Sequence, residues 1–192
     1  MKAQVVLFDG FDPLDAIGPY ETLTAGGVQA ELVTAEGARE VPAGMNLLSL
    51  KATARLSPDA DLIVLPGEAT LDEAAMLARF STLAATLTPV LRETKAIIAT
   101  VCGGSLLLAA TGLIKGRNAT TNHLGLPALE AMGVNAIRAR IVDDGDLVTA
   151  AGVSSGIDLG LYLLDREVGA QQAWQVEELF AHERRGTAWR AA

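Results

Sequence analysis

One cysteine occurs in the 192 residues, and its neighbours give it the setting of a nucleophile. In ATVCGGSLLLAATG an apolar run ending at Thr100 meets Val101-Cys102-Gly103-Gly104, and Ser105 to Thr111 continues as an apolar helix closed by Gly112. Small residues after Cys102 let that helix approach the sheet, while the cysteine takes a strained backbone and projects its side chain outward, as in a nucleophile elbow. A thiol at a helix N-terminus is the stronger acid for it, so Cys102 is expected to ionise below the free value of about 8.5. The competing reading is a buried, inert cysteine packed as a small hydrophobe. Against that reading stands its place at the carboxyl end of a parallel strand, where open α/β sheets hold their ligands.

Other polar residues fall at the same rim. Asp9-Gly-Phe-Asp-Pro-Leu-Asp15 follows the first apolar run, and Glu21 lies further along the first helix. Asp15 brought against Cys102 would be kept protonated by burial and could donate a proton, whereas Asp12 or Asp15 could equally cap the helix. Pro66-Gly67-Glu68 follows another run, and the Gly67 amide with an amide just after Cys102 could form an oxyanion pocket; a plain turn serves the same residues. His123 follows the Asn118 to Thr121 segment and is a candidate for lining the site, the alternative being a structural histidine. His182 reads as a solvated helix residue. Asp143, Asp144 and Asp146 resemble a hairpin tip rather than a calcium loop, for no bidentate glutamate follows. No metal site or cofactor is expected.

The elements that must position these residues alternate between strand and helix. Gln4 to Phe8, Ala30 to Thr34, Asp61 to Leu65 and Ala96 to Thr100 are short apolar runs of the kind buried on both faces of a parallel sheet. Leu14 to Thr24 and Leu71 to Arg92 have helical period. Val41 to Pro58 reads as short irregular strands at the sheet edge, and Asn118 to Thr121 as another core strand followed by a helix to Met132. Asp143-Asp-Gly145 joins Arg138 to Val142 and Leu147 to Thr149 in a hairpin. Helices are expected over Gly156 to Val168 and Ala170 to Glu183, and residues 184–192 are polar enough to fray. Together these give a single domain over 1–192: an α/β, flavodoxin-like, doubly wound and mostly parallel sheet with helices on both faces.

Composition narrows the function classes. Acidic residues outnumber basic ones by 23 to 15, a formal charge of −8 that repels nucleic acid and anionic lipid. No uninterrupted apolar run reaches membrane length, and the Met-Lys start leads into a strand rather than a signal peptide. A lone cysteine cannot form an internal disulfide, so a soluble protein of the reducing cytoplasm is expected.

With these residues assigned, the chain resembles the DJ-1/PfpI superfamily, related in fold to class I glutamine amidotransferases. The resemblance is carried by VVLFDGFDPLDAIGPYE, LIVLPG, IIATVCGGSLLLAATGLIKGRNATTN and LVTAAGVSSGIDLGLYLL. It is strongest to the isonitrile hydratase branch, whose L-D-x-x-G-P-x-E segment is matched by Leu14-Asp15-Ala-Ile-Gly18-Pro19-Tyr20-Glu21. The resemblance implies that Cys102 is the nucleophile, Asp15 its carboxylic partner, and the protein a homodimeric lyase. Its implied reaction is hydration of a small electrophile, isocyanide to N-substituted formamide. The alternative is a non-enzymatic oxidative or ligand sensor using the same cysteine.

The protease and glyoxalase-like branches place His after the cysteine, and the amidotransferases need a later His-x-Glu; this chain has neither. It departs from the hydratase pattern too. Gly103 replaces a threonine, Asn122 and His123 stand for a His-Trp pair after Thr120-Thr121, and Glu68 replaces the second glycine of Pro-Gly-Gly. Gly67, Glu68, Gly103, Asn122 and His123 are therefore the expected pocket residues around Cys102 and Asp15.

Overall fold

The computed structural model describes residues 1–190, the side chain of Glu73 excepted. In chain order the strands are β1 (Lys2–Val6), β2 (Gln29–Thr34), β3 (Arg39–Pro42), β4 (Ser49–Ala52), β5 (Ala54–Arg55), β6 (Leu62–Leu65), β7 (Ile97–Val101), β8 (Asn118–Ala119), β9 (Asn135–Ala136), β10 (Ile141–Asp143), β11 (Leu147–Ala150) and β12 (Trp189–Arg190). The helices are α1 (Pro13–Ala25), α2 (Glu73–Glu93), α3 (Gly104–Ala110), α4 (Leu126–Ala131), α5 (Ser155–Glu167) and α6 (Ala170–Phe180).

The main sheet runs β12-β10-β11-β7-β6-β1-β2-β5, and every pairing in it is parallel except β10 with β11. This is the expected doubly wound α/β sheet. Helices cover both faces: α1 packs on α5, and α2 on α3. Strands β6 and β11 are buried at every position, which is why they read as continuous apolar runs rather than as alternation. Helix α2 is long and apolar enough, by length and composition alone, to cross a membrane. Its apolar residues are nevertheless arranged for a core: Phe80, Ala84, Leu87 and Leu91 recur at helical spacing and are buried.

Order within the sheet determines what can meet. Strand β6 lies between β1 and β7, and the three are parallel. Their carboxyl ends therefore deliver the residues after β1, β6 and β7 to one rim. Those residues are Asp12 to Asp15, Pro66 to Glu68, and Cys102.

Three expectations about elements are corrected. Asn118 to Thr121 is not a strand of the main sheet: β8 pairs only with β9, in a separate two-stranded sheet. Side chains hold the segment instead, Asn118 Nδ2 donating to Asp144 Oδ1 at 2.7 Å and Thr149 Oγ1 accepting from the Thr120 amide at 2.8 Å. The tail does not fray through residue 190. Strand β12 adds to β10, and Arg190 donates to the Tyr162 hydroxyl at 2.8 Å while lying over its ring. Helix α6 ends at Phe180, with Ala181 left-handed, so His182 lies beyond it and meets buried Asp158 at 2.9 Å. The hairpin between β10 and β11 has the expected form, its tip aspartates engaged by Arg117 and Arg166.

Candidate functional site

The cysteine is one of four non-glycine residues with a left-handed backbone among the described residues, with Met45, Asn46 and Ala181. Cys102 has φ of 53°, the left-handed region that a residue with a Cβ enters at a cost of roughly 1–2 kcal/mol. Both of its backbone groups are tied: its amide donates to Ala150 O at 2.9 Å, and its carbonyl accepts from Thr121 Oγ1 at 2.7 Å. The neighbours thus hold the turn that strands alone would not enforce. Helix α3 can follow so closely because residue 104 is glycine; a Cβ there would lie 2.1 Å from Leu65 O. The strained backbone and the close approach of the following helix expected from the sequence are present.

The carboxyl partner arrives from the first helix, and the structure divides the roles of the two aspartates. Asp12 is the N-cap of α1, its Oδ1 accepting from the Leu14 amide at 2.9 Å. Asp15, one turn further on, is fully buried. Its Oδ2 accepts from the Gly67 amide at 2.9 Å, and its Oδ1 has no hydrogen-bond partner among the described residues. Gly67 sits between the two functional groups. A Cβ on it would lie 2.8 Å from Asp15 Oδ2 and 2.6 Å from the Gly103 nitrogen. Only glycine lets the carboxyl group and the cysteine turn approach the β6 loop together.

Two expectations about the pocket change as a result. The Gly67 amide is engaged by Asp15 and is not a free oxyanion donor, because β6 runs between β1 and β7 and brings its loop against the carboxyl group first. Glu68 is likewise engaged: Arg79 Nε donates to its Oε2 at 3.1 Å and a second guanidinium nitrogen to Oε1. Gly103 lies in the turn, with its Cβ position 3.7 Å from Met76 Sδ and from a Phe80 ring carbon. Asn122 reaches the sulfur, its Nδ2 donating to Cys102 Sγ at 3.7 Å. His123 opens a short 3-10 turn and is exposed, with no side-chain hydrogen bond among the described residues. Thr121 is a site residue that sequence reasoning misses. Its tie to the Cys102 carbonyl spans 19 residues and leaves no local sequence signal.

Burial pushes the Asp15 carboxyl up to about 8, the charge of Asp12 adding to the effect and the Gly67 amide and Cys102 opposing it. Burial also pushes the Cys102 thiol up to about 12, aided by the charge of Asp15 and opposed by the Gly103 amide and Asn122. This reverses the direction expected from a helix terminus. Helix α3 has only seven residues, and its first amides are outweighed by the loss of water and by the facing carboxyl group. The two shifts are linked, since neither group ionises easily beside the charge of the other. A proton held on Asp15 removes the negative charge that opposes the thiolate and leaves Asp15 able to donate to sulfur.

The arrangement can therefore present a sulfur nucleophile and a neutral carboxylic acid to one small molecule, with a water-poor wall around both. Among the described residues no group of three His, Cys, Asp or Glu side chains could hold a metal ion.

Comparison with known proteins identifies the family and the fold. An isonitrile hydratase from Pseudomonas putida is 33% identical over 189 residues, covering 90% of this chain and 74% of that protein. A Parkinson disease protein 7 homolog from Danio rerio is 24% identical over 186 residues, 92% of this chain and 94% of its own. The crystal structure of Drosophila melanogaster DJ-1beta has the same fold, with a TM-score of 0.83 at 19% identity over 95% of this chain and 98% of that one. The model of the DJ-1/PfpI family matches residues 1–166, and the chain belongs to that family.

Proposed function

We propose that this protein hydrates a small uncharged electrophile, an isocyanide, to the N-substituted formamide. The observation that carries the reading is the buried Asp15 carboxyl, with one oxygen unpartnered and its pKa raised to about 8, set against Cys102 in a strained turn. An acid in that state still holds its proton at neutral pH. It can thus deliver that proton at the moment a thiolate adds to a carbon.

The steps balance. Cys102 sulfur adds to the terminal isocyanide carbon as Asp15 gives that carbon its proton and takes the proton of the thiol, leaving a thioimidate and a protonated Asp15. A water molecule then adds its oxygen to the same carbon. One of its protons goes to nitrogen and the other, through Asp15, to the departing sulfur; the carbon–sulfur bond breaks, and the formamide leaves with the Cys102 thiol and the Asp15 acid restored. No cofactor, oxidant or reductant is consumed. The isonitrile hydratase name of the Pseudomonas putida relative supports this choice of substrate class.

The second reading is an oxidative sensor, in which peroxide converts the same thiol to sulfenic or sulfinic acid. The observation that favours it is the free, partly exposed Cys102 thiol held in a strained turn. A homodimer belongs to either reading: Leu14 is 45% exposed on α1, with Ile17 and Tyr20 half-buried along the same helix. The test of the hydratase reading is formamide production by the wild type beside Cys102→Ala. Formation by the wild type alone supports it, and equal background in both rejects it.

A further inference from the structure

The wall beside the nucleophile lacks the hydroxyl that a threonine at position 103 would bring. With glycine there, the Cβ direction faces Gly67 Cα at 3.5 Å and Met76 Sδ and a Phe80 ring carbon at 3.7 Å, so position 103 itself brings no side-chain donor. A donor stands in the 120–123 segment instead. We propose that Asn122 is a catalytic residue of this site: its side-chain amide donates to Cys102 Sγ and stabilises the thiolate as it forms. The proposal rests on the reading that Cys102 reacts as a nucleophile.

Three features of the structure support it. Nδ2 lies 3.7 Å from Sγ, within reach of an N–H to sulfur hydrogen bond. The amide is also oriented, because its Oδ1 accepts from the Leu124 amide at 3.1 Å. Turning the amide over would aim oxygen at the sulfur and nitrogen at another donor, losing both bonds. Finally, the segment is fastened to the nucleophile it serves. Thr121 Oγ1 donates to Cys102 O at 2.7 Å, the Thr120 amide donates to Thr149 Oγ1 at 2.8 Å, and Thr120 Oγ1 donates to Ala139 O at 3.0 Å. The donor is therefore held in place before charge develops on sulfur. An asparagine amide does not titrate, so this stabilisation is constant across the pH range in which Asp15 gains or loses its proton.

A purely structural role would need only Oδ1, as the cap of the 3-10 turn. The two roles are separated by Asn122→Ser, which keeps a capping oxygen but is too short to reach the sulfur, and Asn122→Ala, which removes both functions. The measurement is the rate of alkylation by iodoacetamide against pH, followed by intact mass; with one cysteine in the chain, the signal belongs to Cys102 alone. Loss of a hydrogen bond to a charged group is expected to slow alkylation about tenfold in both variants, displacing the rising limb of the rate–pH profile by about one unit to higher pH. A Ser variant that alkylates at the wild-type rate, with its rising limb undisplaced, overturns the proposal, whatever the Ala variant does. The Ser variant carries the test alone if Asn122→Ala fails to fold. Since alkylation does not pass through isocyanide turnover, a wild type that makes no formamide would sink the hydratase reading without touching this comparison.

Discussion

Replacing Asp15 with asparagine should change how the stability of the protein depends on pH. In the folded chain Asp15 keeps its proton up to a pH of about 8, whereas unfolded it ionises near its ordinary value of 3.8. Between those values the folded state binds a proton that the unfolded state has released, so stability must fall as pH rises. The interval is about four units, and each is worth roughly 1.4 kcal/mol when the difference is a full proton. The wild type should therefore lose on the order of 5 kcal/mol through this one group between pH 4 and pH 8, with little further loss above. The asparagine of the Asp15→Asn variant has no proton to lose. It keeps an oxygen for the Gly67 amide, so the fold around it should survive. Urea unfolding of both proteins across pH 4 to 9 gives the difference curve, in which the titrations common to both cancel. A difference that stays flat from pH 4 to 8 would mean that Asp15 is ionised in the folded protein at neutral pH, and the reasoning from burial would be refuted.

Two other outcomes are expected of the same structure. Cys102→Gly should be more stable than Cys102→Ala by about 1 kcal/mol, because glycine accepts φ of 53° without the Cβ penalty; equal unfolding midpoints in denaturant would remove the claim of strain. Sedimentation at micromolar concentration should give twice the 20.0 kDa chain mass, and a clean monomer would contradict the dimer.

What can be read in advance is whatever depends on local pattern. Buried parallel strands announce themselves as apolar runs, and the Cys102 turn is legible because Gly103-Gly104 directly precedes a helix. The Asp-Asp-Gly tip is legible for the same kind of reason. Asp12 and Asp15 cannot be told apart in the sequence, since both stand at a helix start and only the packing of the β6 loop buries one of them. The Gly67 amide looks free for a pocket because its partner is 52 residues away in the chain. The rise in the thiol pKa is hidden for a related reason. Burial and an opposing carboxyl group are tertiary facts, while a helix terminus is visible in sequence. His182 looks solvated until the tail turns back on Asp158, and β12 depends on Tyr162 in the same way.

The most direct test of the chemistry assigned to Cys102 and Asp15 is turnover of several alkyl and aryl isocyanides by the wild type, Cys102→Ala and Asp15→Asn, with the formamide identified by mass. Absence of a hydroxyl at Gly103 should make the enzyme slower by roughly two- to tenfold than one that has that hydrogen bond in its transition state, a loss of about 0.5–1.5 kcal/mol. Slow but measurable formamide is expected from the wild type, none above background from Cys102→Ala, and severely reduced formation by Asp15→Asn. Wild-type product no greater than that of Cys102→Ala, across the whole set of isocyanides, would contradict the hydratase reading.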